Sequence, residues 1–292
     1  MTIQWFPGHM TRARRQIEEK LRLVDAAIEL LDARVPHSSR NPMIGRILRG
    51  KPRLVVLNKA DLADPRSTER WIAAFRDEGH DCIAVDAAGG RGVKEIAARV
   101  RELVAPQRER MAARGVVKPR AVRALIVGIP NVGKSTLINR LAGRGAAATG
   151  DRPGVTKGQQ WIKVGGEMEL LDTPGILWPK FEDQAVGMRL AVIGSIREEI
   201  LNLEEVAFFA VKTLAVKYWD AFAQRFGLEG GPPEDVEDPE QVVDVLERIG
   251  RKRGCLISGG RVDLEKASGV LLRDLRAGKL GRITLEEPDD SR

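Results

Sequence analysis

The sequence predicts an α/β protein in which a central, mostly parallel sheet flanked by helices is followed by a smaller helical domain. Two observations support this fold class. Between residues 26 and 171, short apolar runs of strand length alternate with segments of helical periodicity, as in parallel sheets. From about Gln184 onward, the apolar residues recur at helical spacing. We therefore expect two domains, residues 1–183 and residues 184–287.

Composition indicates a folded, basic protein from a reducing compartment. Apolar residues make up 43% of the 292 residues, enough for a large core. The formal net charge of +7 favours an anionic partner such as RNA or a membrane surface, although an incidentally basic enzyme has the same balance. Cys82 and Cys255 are too few and too distant for a disulfide framework or zinc site. Without a membrane-length segment or signal-like N-terminus, we expect a cytoplasmic protein.

The spacing of apolar residues predicts each element in turn. Near the start, a basic helix places Ile17, Leu21 and Val24 on one face and Lys20 on another. Further helices are expected around Trp71–Phe75 and Val93–Val100. The predicted strands are Ala26–Leu31, Arg53–Leu57, Cys82–Val85, Arg123–Val127 and a hairpin of residues 160–164 and 168–171. The helical domain has three apolar stripes: Val206, Phe209, Ala210 and Thr213; Val242, Val245, Leu246 and Ile249; and Leu264, Ala267, Leu271 and Leu275.

Residues 128–135 fit the phosphate-binding pattern G-x-x-x-x-G-K-S between a predicted strand and a predicted helix. In this setting, backbone N–H groups of the loop and helix N-terminus cradle the α- and β-phosphates. Lys134 is expected to reach the β- and γ-phosphates, and the Ser135 hydroxyl to ligate Mg²⁺. The pattern predicts a nucleoside triphosphate site. The contacting residues would be Asn131, Val132, Gly133, Lys134, Ser135 and Thr136.

Asn58-Lys59-Ala60-Asp61, directly after a predicted strand, indicates that the base is guanine. Asp61 can accept hydrogen bonds from N1–H and the N2 amino group of guanine. Asn58 would lie near N7 and brace the phosphate loop, and the Lys59 stem would lie along the base. Adenine lacks this pair of donors, and sites of this kind discriminate by roughly 10⁴-fold or more.

The loop Asp86-Ala87-Ala88, after the third predicted strand, occupies the place where GTPases commonly carry a Ser-Ala-Lys-like turn. A backbone N–H of that turn contacts guanine O6, so the departures at Asp86 and Ala88 leave the site possible. Thr156, in a Gly-rich segment, is expected to complete the Mg²⁺ shell when γ-phosphate is present. In Asp172-Thr-Pro-Gly175, the carboxylate would bind Mg²⁺ through water and the Gly175 N–H would contact the γ-phosphate.

The order of these motifs indicates a circular permutation. In ordinary GTPases the phosphate loop and D-x-x-G precede N-K-x-D, whereas here N-K-x-D comes first. The simplest account is the same sheet with its original ends joined, which is tolerated where termini lie close together. The joining segment would be the exposed, basic connector Gln107–Arg123. The segment after Gly175 then leads directly into the helical domain.

The permuted motifs resemble those of the YlqF-type circularly permuted GTPases along nearly the whole chain. The shared motifs are Trp5–Met10, Asp32–Pro36, Asn58–Asp61, Gly128–Ser135, Asp151–Thr156, Gln159–Trp161, Asp172–Gly175 and Leu272–Arg282. The resemblance implies a GTPase that binds GTP/GDP and Mg²⁺. It also implies binding to the large ribosomal subunit and its rRNA late in assembly, with hydrolysis stimulated by that particle.

The resemblance also assigns roles at two positions. Ile176 stands where many GTPases place a water-orienting glutamine. In this family a histidine matching His9 is thought to take over that role, although His9 also suits a structural position beside Trp5 and Phe6. An asparagine matching Asn131 helps to hold K⁺ in similar GTPases, although asparagine also suits a tight loop.

Ten basic residues gather in the helical domain, and either an RNA-facing surface or a solvated helix surface explains them. They are Arg248, Arg251, Lys252, Arg253, Arg261, Lys266, Arg273, Arg276, Lys279 and Arg282. We expect no DNA partner. The leading alternative to a switch is a GTP-gated RNA-binding assembly factor in which hydrolysis is incidental. A small-subunit GTPase is disfavoured because no extra barrel or Cys/His module is present, and a metabolite kinase is disfavoured by Asp61 and Thr156.

Overall fold

The computed structural model describes residues 15, 17–48, 50–115, 121–143, 161–178 and 181–291. Among these, residues 181–285 form one compact unit, which we call the helical unit. The remaining described residues, including 286–291, form a second unit, which we call the sheet unit. The sequence places residues 286 and 287 in the helical domain, whereas their contacts assign them to the sheet unit.

The described residues of the sheet unit form a six-stranded sheet in the order β3-β2-β1-β4-β6-β5. Neighbouring strands are parallel except for the β5–β6 hairpin, so the predicted fold class and hairpin are confirmed. The strands are β1 (Ala26–Asp32), β2 (Arg53–Asn58), β3 (Asp81–Ala84), β4 (Val122–Gly128), β5 (Trp161–Val164) and β6 (Met168–Leu171).

Helices cover both faces of this sheet. They are α1 (Pro42–Ile47), α2 (Pro65–Asp77), α3 (Glu95–Ala113) and α4 (Lys134–Ala142), with a further helical segment at residues 17–21. Two buried clusters lie side by side on one face, because Val127 and Val55 are both paired with Glu29 of β1. In one, Ile17 and Ile44 pack on Leu125 and Val127 of β4. In the other, Trp71 and Phe75 pack on Val55 and Leu57 of β2.

One predicted connector is wrong in part. Residues 107–113 belong to helix α3, which continues through Pro106, whereas the sequence predicts an exposed linker from Gln107. Proline removes a backbone donor, but Gln, Arg, Glu, Met and Ala after it favour helix strongly enough to continue it. Residues 122 and 123 already belong to β4.

The helical unit has its own apolar interior. Its helices are α5 (Gln184–Val192), α6 (Leu203–Lys217), α7 (Trp219–Phe226), α8 (Pro239–Lys252) and α9 (Leu264–Arg276), with a 3₁₀ turn at Glu198–Ile200. The predicted α8 stripe is buried throughout. In α6 the buried face is shifted, because Val211 and Leu214 are buried instead of Phe209 and Thr213. No helix in the described ranges is long and apolar enough to cross a membrane.

The C-terminal segment of residues 286–291, which we call the tail, lies on the sheet unit. Glu286 is buried, and its carboxylate accepts hydrogen bonds from the backbone N–H and hydroxyl of Ser38. Trp71 Nε1 donates to the Glu286 carbonyl at 3.1 Å. Arg70 pairs with Glu287 at 3.1 Å and Asp289 at 2.6 Å, so polar contacts hold the tail at several points.

Candidate guanine-nucleotide site

The parallel register brings the predicted motifs to one edge of the sheet. In β1, Asp32 is paired with Asn58 of β2, and Leu30 with Gly128 of β4. The carboxyl ends of these three strands therefore meet at one level. In α/β sheets, loops beyond the carboxyl ends of the strands form the ligand sites. This edge carries the predicted base reader and phosphate loop side by side.

The phosphate loop has the backbone geometry that its glycines permit. Gly133 has φ 99° and caps the N-terminus of α4, where free N–H groups and the helix dipole favour an anion. Asn131 has φ 58°, a left-handed conformation that asparagine tolerates better than most residues. At Gly128, a Cβ would lie 2.6 Å from the Leu30 carbonyl oxygen, so strand packing itself requires glycine. The loop fits a bound phosphate chain.

Lys134 is a buried cation held by the loop. Its side chain donates to the carbonyl oxygens of Gly128 at 3.1 Å and Ile129 at 2.9 Å, and the residue is 8% exposed. Burial lowers the pKa of Lys134 to about 8, with Asp172 acting in the opposite direction. A buried ammonium next to one carboxylate suits an additional anionic group such as a phosphate.

Asn58 joins the base-reading strand to the phosphate loop. Its amide Nδ2 donates to the Val132 carbonyl at 2.8 Å, and its Oδ1 accepts from the Ala87 N–H at 3.0 Å. A Cβ at position 133 would lie 2.3 Å from Asn58 Nδ2. One buried side chain therefore fixes two predicted nucleotide loops, in agreement with its expected bracing role.

Lys59 connects the same two regions through charge. Its Nζ donates to the Asn131 carbonyl at 2.7 Å and pairs with Asp32 at 3.0 Å. Asp32 is fully buried and also pairs with Arg34 at 2.8 Å. Burial alone would raise the pKa of Asp32, but Arg34 and Lys59 outweigh it and hold that pKa well below its usual range.

Neither Asp32 nor Arg34 has a role predicted from the sequence, although both lie in a shared motif. Their position at the end of a strongly apolar strand is the feature of the sequence that could have indicated a role in the site. Burial alone would lower the pKa of the Arg34 guanidinium, but Asp32 outweighs it, and Asp61 raises that pKa further through an electrostatic interaction. The carboxylate predicted to read guanine therefore interacts electrostatically with a buried arginine.

The third predicted guanine contact is a tight turn. The Asp86 carboxylate accepts from the Gly89 N–H at 2.7 Å, so Asp86 shapes the turn. Ala87 is buried with its N–H donated to Asn58, whereas the neighbouring Ala88 is exposed. Arg140, in the last turn of α4, donates to the carbonyls of Ala87 and Ala88. The helix that carries Lys134 thus also supports this turn.

The segment 172–176 closes the phosphate end of the site. A Cβ at Gly175 would lie 2.8 Å from Pro130 N and 3.0 Å from Lys134 Nζ, so glycine permits close approach to the phosphate loop. Asp172 is 4% exposed and interacts electrostatically with Lys134. With the hydroxyl of Ser135 at the start of α4, it provides the oxygen donors that Mg²⁺ prefers, so these residues fit that ion.

Two contacts with this segment were not predicted. The sequence places Lys20 on a different face from the apolar stripe of its helix, yet Lys20 is 2% exposed and donates to the Asp172 carbonyl at 3.1 Å. Desolvation lowers the pKa of its ammonium, with Asp172 acting in the opposite direction. Asn41 donates to the Ile176 carbonyl at 3.0 Å. Partners so distant in sequence leave no local signal.

Ile176 is 2% exposed and belongs to the buried cluster beneath β4. Its side chain therefore has an apolar packing role at the position where other GTPases carry glutamine. His9 and Thr156 lie outside the described residues. The predicted sites that the structure brings together are the phosphate loop, Asn58–Asp61, Asp86–Ala88 and Asp172–Gly175.

Comparisons with known proteins give a consistent result. A profile of the family described as 50S ribosome-binding GTPase matches residues 123–222. Ribosome biogenesis GTPase A from Bacillus cereus is 58% identical and covers 99% of this chain and 95% of its own length. The protein of that name from Priestia megaterium is 54% identical, with 100% and 99% covered. GNP-bound YlqF from T. maritima has a TM-score of 0.64 and 29% identity, covering 95% of this chain and 99% of its own.

Proposed function

Because this chain belongs to the ribosome biogenesis GTPase A family, we propose that it is a GTP-hydrolysing switch that binds the large ribosomal subunit and promotes its late assembly. The chain is a GTPase of ribosome assembly. Our proposal is that its binding partner is the large subunit, including the rRNA of that subunit. The observation that supports a switch best is Asn58, which links the phosphate loop to the base-reading loops by hydrogen bonds of 2.8 and 3.0 Å.

In this proposal the binding residues divide by the part of GTP that they contact. Asn58, Lys59, Asp61 and the turn Asp86–Ala88 recognise guanine, and the loop Asn131–Thr136 binds the phosphates. Ser135 and Asp172 would hold Mg²⁺, with Thr156 added in the GTP-bound state, and the bound ion would supply positive charge at the phosphates. The Gly175 N–H contacts the γ-phosphate. The close approach of Gly175 to Lys134 supports this assignment.

Hydrolysis requires a group that orients the attacking water, and Ile176 does not supply one because its buried side chain has no hydrogen-bonding atom. We assign this role to His9, and we assign Asn131 to a K⁺ that adds positive charge in the transition state. The left-handed backbone at Asn131 also gives this residue a local reason to be asparagine. Both assignments follow from the family resemblance.

The helical unit is proposed to bind rRNA, and the protein to act in the cytoplasm, where assembling subunits are found. The chain leaves the γ-phosphate segment 172–176 and enters the helical unit at residue 181. A change at the γ-phosphate would therefore be transmitted along a short connection.

The deciding experiment measures GTP turnover in potassium buffer without particles, with purified small subunits and with purified large subunits. We expect strong stimulation by large subunits alone, loss of that stimulation in His9→Ala, and slower turnover in sodium buffer. Stimulation by neither subunit would overturn the particle-activated mechanism and favour a GTP-gated RNA-binding factor. In that case His9→Ala would leave function unchanged. Equal rates in sodium and potassium would remove the K⁺ assignment.

A further inference from the structure

The ten basic residues between Arg248 and Arg282 differ in whether the fold already neutralises them. On α8, Arg248, Arg251 and Lys252 pair with Asp244, Glu247 and Glu229. Arg253 lies over the Phe226 ring at 5.1 Å and donates to the Arg225 carbonyl. At the end of α9 and just beyond it, Arg276 pairs with Glu198 and Lys279 pairs with Asp274. The most basic stretch of the sequence is thus largely paired within the unit.

Four basic residues remain exposed, and none has an ion-pair partner within the described part of the chain. They are Arg261, Lys266, Arg273 and Arg282. Two of them, Lys266 and Arg273, lie seven residues apart on α9, so they share one face of that helix. Arg261 and Arg282 flank the helix in sequence. Among these ten residues, the cations for which the described fold supplies neither an ion pair nor a ring contact therefore lie on and beside α9.

The exposed side of α9 lies opposite its buried residues. Ala267, Leu271 and Leu275 face the interior, whereas Lys266, Gly269 and Arg273 lie on the solvent side. Glu265 is an acidic residue on the same side. It belongs to the first turn, where a carboxylate interacts favourably with the helix dipole. We call the surface formed by Lys266, Gly269 and Arg273 the α9 face.

Gly269 is unusual because glycine is the least favourable residue in a helix interior after proline. Gly250, inside α8, has a packing reason: a Cβ there would lie 2.3 Å from Val262 Cγ1. At Gly269, a Cβ would meet no described atom within 4 Å. Nothing within the described fold therefore accounts for the missing side chain, and a partner that approaches the helix closely would account for it.

We propose that the α9 face binds the sugar–phosphate backbone of RNA, with Lys266 and Arg273 on phosphates and Gly269 admitting the strand against the helix. This inference rests on the proposed function and names the surface of the helical unit that performs it. Exposed, unpaired Lys and Arg suit phosphates, whose contacts dominate affinity for nucleic acid. A protein interface fits less well, because interface cores are depleted of lysine.

The test compares two double variants of the full-length protein that remove the same charge. Lys266→Ala with Arg273→Ala changes the α9 face, and Arg251→Ala with Lys252→Ala changes the paired cations of α8. Binding to purified large subunits and to protein-free rRNA from those subunits is measured by co-sedimentation over a salt series. We expect the α9 variant to bind about tenfold more weakly, with a log–log salt slope shallower by about two, and the α8 variant to bind nearly as wild type.

A second variant separates contact from folding. Gly269→Gln introduces a good helix former without charge, so the thermal midpoint should rise or stay the same while RNA binding weakens. Unchanged binding of Gly269→Gln, or equal losses in the α8 and α9 double variants, would overturn the inference. So would an α9 loss seen with subunits and absent with protein-free rRNA, because the partner would then be protein.

Failure of the proposed function has a different signature. If the wild-type protein does not bind large subunits but binds protein-free rRNA, the proposed partner is wrong, and the comparison of α8 and α9 variants on rRNA still decides the inference. If the wild-type protein binds neither, both proposals are overturned.

Discussion

Asp32 lies within a chain of alternating charges beneath the nucleotide site. Lys59 contacts one side of its carboxylate at 3.0 Å and Arg34 the other at 2.8 Å. Lys59 in turn donates to the Asn131 carbonyl of the phosphate loop. Removing one member of a buried ion pair costs about 3–5 kcal/mol, because the remaining charge lacks a partner. The position of Lys59, and through it that of the phosphate loop, therefore depends on Asp32.

We predict that Asp32→Asn lowers GDP affinity by about 10- to 100-fold, which corresponds to about 1.4–2.8 kcal/mol. The amide leaves the buried Arg34 and the partly exposed Lys59 without a full counter-charge, so Lys59 is expected to move away from the Asn131 carbonyl. Titration calorimetry measures the affinity. The matched control is Glu29→Gln, because Glu29 is also buried on β1 and pairs with Arg53 at 2.9 Å. If both variants lose equal affinity, Asp32 has a general structural role only.

The lowered pKa of Lys134 leads us to predict that nucleotide binding depends on pH. Burial lowers its pKa to about 8 in the protein without nucleotide, and a bound phosphate would raise that pKa again. Near pH 8, GDP binding should therefore be accompanied by proton uptake, and affinity should fall as the pH rises above about 8. Calorimetry in two buffers with different ionisation enthalpies should show different apparent heats at pH 8 and equal heats at pH 6. Equal heats at both pH values would contradict this prediction.

The same group affects stability without nucleotide. The folded form loses the Lys134 proton near pH 8, whereas the unfolded chain keeps it up to about 10.5. Between these values the unfolded chain binds more protons, so this group makes the free energy of unfolding rise with pH in that window.

At the scale of helices and strands, the sequence predicts the features that depend on residues close together in the chain. The strand–loop–helix around Gly128 is predictable because its apolar run, glycine spacing and lysine are contiguous. Helix α3 is under-predicted because Pro106 is a typical helix breaker, and good helix formers beyond it decide otherwise. The contact of Lys20 is not predicted because its partner, Asp172, lies 152 residues away. Residues 286–291 look like a polar terminus, and distant residues such as Ser38 and Trp71 determine their position.

We predict that Glu286→Ala lowers the free energy of unfolding of the sheet unit by about 3 kcal/mol, because two hydrogen bonds to a buried carboxylate are lost and the Ser38 donors are left unpaired. Chemical denaturation followed by intrinsic tryptophan fluorescence, to which Trp71 contributes, measures this change. The control Glu234→Ala removes an exposed carboxylate and should change stability by less than about 0.5 kcal/mol. Similar small effects in both variants would show that the tail does not stabilise the sheet unit.

At the scale of the whole molecule, the strand order shows how the permuted chain retains a single nucleotide site. The phosphate-loop strand β4 is fourth along the chain, yet it lies between β1 and β6 in the sheet. Strands β2 and β3, which lead to the predicted base contacts, lie on one side, and the hairpin leading to Asp172 lies on the other. The motif order indicates this arrangement. The pairing of Asp32 with Lys59 emerges only from the register.

The return of the tail to the sheet unit determines what one break in the backbone would do. Residues 229–238 connect α7 and α8 and contain exposed Gly and Pro residues, the kind of segment that proteases cut first. After such a cut, the N-terminal fragment would retain most of the sheet unit, and the C-terminal fragment would carry its own anchor at Glu286. The two pieces would stay associated without a covalent link, so a nicked molecule would migrate as intact under native conditions and as two bands in denaturant.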